Sequence, residues 1–135
     1  MKAELKRLFI TEDNINPCYP EDPEHFGAVV DMGIGLEGSN GADIFYLSVC
    51  TPRWFKENVM TSCPSDPTHE TVQRTAFGRH YLFVHSYDEG EIRKAVEEIV
   101  DSAIGETWEE IGTRLSRFFS WEFEDYNDEN ARPRL

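Results

Sequence analysis

Six consecutive residues, Gly33-Ile34-Gly35-Leu36-Glu37-Gly38, spell G-x-G-x-x-G, the spacing that lets a backbone approach the pyrophosphate of a dinucleotide. That chemistry needs a helix to begin there, because the helix N-terminus holds the anion. Here Ser39-Asn40-Gly41-Ala42-Asp43 follows, and then a second apolar alternation, so the string reads as a hairpin turn. The four histidines, His25, His69, His80 and His85, are no better arranged for metal or acid–base work. His80 and His85 stand five apart on one predicted strand and so point to opposite faces. No histidine pairs with a cysteine at zinc-ligand spacing. Cys18, Cys50 and Cys63 are an odd number at wide spacing and fit no disulfide framework, which points to a reduced, cytoplasmic compartment. Cys50 lies in an apolar strand and reads as an inert small hydrophobe. No serine sits in a G-x-S-x-G elbow, and carboxylates are too numerous for any pair to mark glycosidase chemistry. The residues thus imply no catalytic group, no metal and no cofactor.

One segment has a pattern of a different kind. In Phe118-Phe119-Ser120-Trp121-Glu122-Phe123-Glu124-Asp125-Tyr126, aromatic and acidic residues interleave after a predicted helix. Aromatics supply contact area for a protein partner, and carboxylates complement a basic one. Trp121 and Phe123 read better as closing the bottom of the core, because large aromatics are usually mostly buried. The candidate partner-binding residues are Glu122, Glu124, Asp125, Tyr126, Asp128 and Glu129, with Glu109 and Glu110 on the preceding helix. The composition points the same way. Across 135 residues, 26 acids face 13 bases, a net charge of −13, and 14 of those acids fall within residues 88–135. Such a charge repels phosphate backbones and anionic membranes, which excludes nucleic acid and membrane surfaces as partners. It attracts a basic partner at long range. No apolar run is long enough to span a bilayer, and Met1 to Thr11 lacks the apolar stretch of a signal peptide.

These residues need elements to position them. Period-two alternation predicts a strand over Ala3–Thr11, with Leu5 and Phe9 on one face and Leu8 and Ile10 on the other. A second strand runs His25–Leu36, with Phe26, Ala28, Val30, Met32, Ile34 and Leu36 on one face. Its other face, Val29, Asp31, Gly33 and Gly35, is either solvated or a docking surface. A third strand, Ile44–Thr51, completes a hairpin, and Asn14–Glu24, rich in proline, is a loop. Thr51-Pro52 opens a short helix to Asn58. Residues 59–73 form a proline-containing loop, and Arg79–Tyr87 reads as a fourth strand. Two capping boxes, Asp88 with Glu91 and Thr107 with Glu110, open two helices. Their apolar stripes are Ile92, Val96, Ile99 and Ala103, ended by Gly105, and Trp108, Ile111, Leu115, Phe118 and Phe119. The fold class is α+β: a four-stranded, mainly antiparallel sheet followed by two C-terminal helices packed on one face, plus a short helix after the third strand. Residues 1–126 form a single domain and 127–135 a polar, acidic tail.

Several strings together resemble the immunity protein 8 family of bacterial polymorphic toxin systems. They are Met1-Lys2-Ala3-Glu4-Leu5, Pro20-Glu21-Asp22-Pro23-Glu24-His25-Phe26-Gly27, Asp43-Ile44-Phe45, Val49-Cys50-Thr51-Pro52-Arg53-Trp54 and Gly78-Arg79-His80. The strongest part is the end, Trp108-Glu109-Glu110 followed by Leu115 through Tyr126. Against this family the stretch Met60–Gln73, with Cys63-Pro64-Ser65-Asp66-Pro67, looks like an insertion. The resemblance implies a cytoplasmic, non-enzymatic protein that binds and neutralises a cognate toxin domain by stoichiometric occlusion. The −13 charge makes a basic toxin, such as a nuclease, the natural complement. Two alternatives stand beside it: a general protein-interaction or adaptor module, and a hydrolase whose residues assemble only in space.

Overall fold

A computed structural model describes residues 1–12, 20–60 and 75–123. The predicted loop around Cys18, most of the 59–73 loop with Cys63 and His69, and the 127–135 tail lie outside the described residues, as do Glu124, Asp125, Tyr126, Asp128 and Glu129.

The sheet is α+β in the expected manner. Strands β1 (Ala3–Thr11), β2 (Gly27–Leu36) and β3 (Asp43–Cys50) pair antiparallel in sequence order. The G-x-G-x-x-G string ends β2 and turns the hairpin, with Gly38 at φ 84° and Ser39 N–H donating to the Leu36 carbonyl at 3.0 Å. The outer edge of β3 is shared by two short strands. β4 (Tyr81–Phe83) runs parallel along Ser48–Cys50, and β5 (Ser120–Trp121) runs antiparallel along Phe45–Tyr46. Helix α1 (Pro52–Asn58) follows β3; α2 (Glu89–Ser102) and α3 (Trp108–Leu115) follow β4.

The alternating set of β2 is the floor of the core. Ala28, Val30, Met32 and Ile34 are buried with Phe45, Leu47 and Val49 of β3. Ile92, Val96 and Val100 of α2, Ile111 and Leu115 of α3, and Phe119 cover them. Each large side chain so buried contributes about 1.5–3 kcal/mol relative to exposure.

Four local readings are corrected. In β1 the pairing register shifts between Leu5 and Arg7, leaving Lys6 as the extra residue of a bulge. Leu5 therefore faces the core with Leu8 and Ile10, while Phe9 points outward. Lys6 donates to Glu4 Oε1 at 2.7 Å, and with the Gly38 N–H it holds the Glu4 carboxyl below the usual carboxylate range. Strand β4 is shorter than Arg79–Tyr87, because Arg79 and His80 make a turn, with His80 left-handed at φ 63°, and Tyr87 N–H leaves the ladder for the Pro23 carbonyl. Helix α2 stops at Ser102 because Ala103–Gly105 turn extended and pair with the start of β1, through Ala3 N–H to Ala103 O and Gly105 N–H to Met1 O; Gly105 is not a left-handed cap. Finally, Thr51 caps α1 by position only. Its hydroxyl accepts from Phe26 N–H at 3.3 Å instead. The Asp88 and Thr107 caps are made as expected, by accepting from Glu91 N–H and Glu110 N–H.

Candidate functional site

Of the candidate acids on described positions, Glu122 lies at the start of β3, and Glu109 and Glu110 follow Trp108, whose side chain is tied to the same strand end. Asp43 Oδ2 accepts the indole N–H of Trp108 at 2.7 Å and that of Trp121 at 3.1 Å. Two residues from α3 and β5, far apart in sequence, are thereby tied to one strand end. Trp121 stacks on Phe45, with centroids 5.9 Å apart and planes 5° from parallel. It fits because Gly112 has no side chain: a Cβ there would lie 2.5 Å from the indole.

Glu122 continues the ladder with its side chain. Its carboxylate accepts Ile44 N–H at 2.8 Å while its own N–H donates to the Ile44 carbonyl at 3.1 Å. Glu110 accepts from Glu106 N–H at 3.3 Å and lies 3.9 Å from Arg114. Glu109 is exposed on the same first turn of α3. The structure thus brings Glu109, Glu110 and Glu122 to one end of the sheet. It also gives Glu122 a backbone partner that spacing did not reveal, and the Glu110 carboxylate of the capping box takes Glu106 N–H in place of the Thr107 N–H expected of the box.

The opposite sheet face carries residues that sequence reasoning left outside the candidate site. Phe9, Val29, Tyr46 and Phe83 are 46%, 42%, 42% and 46% exposed. The register sets them in rows across the strands. Phe9, Asp31 and Tyr46 form one row, and Thr11, Val29, Ser48 and Tyr81 the next. Arg7 donates to Asp31 Oδ1 at 2.8 Å, its side chain lying over Gly33, where a Cβ would come within 2.7 Å of the guanidinium. Trp54 of α1 lies over Gly27 in the same way and closes one end of the face. The result is a shallow concavity of about 620 Å³ between Thr11, Asp31, Tyr46, Trp54 and Tyr81. The outward period-two set of β2 was the available signal. The bulge at Lys6 hid Phe9 from it.

Three chemistry-bearing residues elsewhere, His25, Cys50 and His80, are structurally engaged. His80 Nε2–H donates to the Ser116 carbonyl at 2.8 Å, and His25 bonds Glu57. Cys50 is fully buried, which pushes its thiol up to about 11 and leaves it protonated at neutral pH. Among the described residues, no group of three His, Cys, Asp or Glu side chains converges to hold a metal ion, and no helix is long and apolar enough to cross a membrane.

A sheet with one face sealed under helices and the other presenting aromatic side chains around an ion pair defines an α+β protein that offers a surface. The chain belongs to the family described as Immunity protein 8, which matches it over residues 3–126. Neither a curated protein nor a solved structure matches it. By family it is an immunity protein, and a toxin is the partner that such a protein implies.

Proposed function

We propose that this chain neutralises a cognate toxin domain by stoichiometric occlusion, without turnover, in the cytoplasm of the cell that makes the toxin. The observation that carries this reading is the family match over residues 3–126, nearly the whole chain. Residues 1–126 act as one binding domain. The toxin is a basic domain, such as a nuclease with a cationic surface for its anionic substrate, and the net charge of −13 complements it. The acids Glu109, Glu110, Glu122, Glu124, Asp125, Asp128 and Glu129, with Tyr126, supply the attraction. A complex of this kind buries about 1,200–2,000 Å² in all.

The test is survival. The gene upstream of this chain is read for a secreted protein, and the C-terminal domain it encodes is expressed in a test host with and without this chain. Restored growth, saturating once the chain reaches the level of the toxin, is the expected result. An active toxin that still kills in the presence of the folded chain would sink the proposal for that pair.

A further inference from the structure

We infer that the open face of the sheet, with Phe9 and Tyr46 standing either side of the Arg7–Asp31 pair, is where the toxin domain docks. This rests on the immunity reading above and adds where the complex is held.

Three observations converge. Phe9, Val29 and Tyr46 are large apolar groups left in water on three adjacent strands, whereas the opposite face of the same strands is sealed. Aromatic side chains at the middle of a surface are what interfaces use as anchors. The charges between them are already paired, Arg7 to Asp31 at 2.8 Å, so a partner laid over them strands no lone charge.

The second observation is size. β1, β2 and β3 are nine, ten and eight residues long, and β4 adds three residues at one corner; at about 3.3 Å per residue and about 4.8 Å between strands they make a face of roughly 450 Å² before side-chain relief. That is more than half of the ~800 Å² each partner contributes to a standard complex. A single extended peptide would cover only part of it, so the occupant is a folded domain.

The third is charge. Two copies of this chain meeting face to face would bring together twice −13. Self-association is opposed by that repulsion, whereas a basic toxin domain is drawn in. The partner surface is therefore an apolar ridge on a cationic protein.

The probe is the upstream toxin domain, inactivated at its catalytic centre, with kinetics read by surface plasmon resonance. Phe9→Thr and Tyr46→Thr place β-branched threonine, a good strand former, at exposed strand positions. Each raises the dissociation rate about thirtyfold and leaves the association rate and melting temperature near wild type. Phe118→Thr, which removes an equally exposed aromatic from the helical end, changes neither rate. Should the double variant unfold, Val29→Arg carries the test by setting a cation against the basic partner, with the same direction expected. Wild-type kinetics in the folded double variant, or in Val29→Arg, would overturn the sheet face while leaving immunity intact. A wild-type chain that neither binds nor protects would overturn the immunity reading, and this inference with it. Free protein that sediments as a dimer, and as a monomer once Phe9 and Tyr46 are replaced, assigns the face to a second copy and also overturns the inference.

Discussion

Asp43 is the residue on which the candidate acidic end depends, and it works as an acceptor, not as a contact. One carboxylate oxygen takes two indole N–H groups that would otherwise be half-buried donors without a partner in the protein. Replacing Asp43 by alanine removes both bonds, each to a charged group, and should cost about 2–4 kcal/mol of stability. Asp43→Asn keeps an oxygen and should lose less than half of that. Urea unfolding followed by tryptophan fluorescence separates the two variants, and stabilities equal to wild type in both would show that the indole bonds contribute nothing. The same residue explains why the motifs that suggested the family are spread along the chain. Asp43, Trp108 and Trp121 lie in three separate strings of the sequence and meet at one oxygen. No spacing rule joins positions 65 and 78 apart, so their association is visible only once the sheet and helices are built.

At the scale of elements, α3 and β5 are coupled through a single missing side chain. Gly112 in the middle of α3 sacrifices about 1 kcal/mol of helix propensity relative to alanine. In return the Trp121 ring lies against the helix backbone while stacking on Phe45. Gly112→Ala would place a Cβ 2.5–2.8 Å from that ring, and the indole is held on its other side, so the clash has no cheap escape. Overpacking of this kind costs about 1–3 kcal/mol, enough to outweigh the propensity gain. The expected result is a lower melting temperature with a red-shifted tryptophan emission as β5 lifts from β3; an unchanged or higher melting temperature would refute the coupling. Much at this scale was legible. The bounds of β1 and α1, the hairpin, two helix caps and the core set of β2 follow from alternation and capping chemistry. What was not legible has physical causes. A one-residue bulge at Lys6 inverts the face of everything before it, and periodicity cannot register an inserted residue that the partner strand alone defines. Strand β5 is two residues long, too short for any alternation, and exists because β3 has a free edge beyond the end of β4.

For the whole molecule, charge and shape divide the labour of binding. The open sheet face carries its ion pair already neutralised, while the net charge of −13 resides largely elsewhere, 14 of 26 acids lying in residues 88–135. Long-range attraction sets how often partners meet, and close apolar contact sets how long they stay. The two should therefore be separable by experiment. Between about 0.01 M and 0.15 M salt the screening length shrinks from about 30 Å to about 8 Å, so the association rate with a basic toxin domain should fall about tenfold or more over that range. Reversing Glu124 and Asp125 to lysine takes the net charge from −13 to −9 and removes it from the most acidic stretch. Stopped-flow mixing should then show slower association at low salt, a flatter salt dependence, and an unchanged dissociation rate. Curves parallel to wild type would move the steering charge to other acids. A wild-type rate indifferent to salt would mean that the partner is not basic, and the electrostatic half of the recognition would fall while the aromatic half stood.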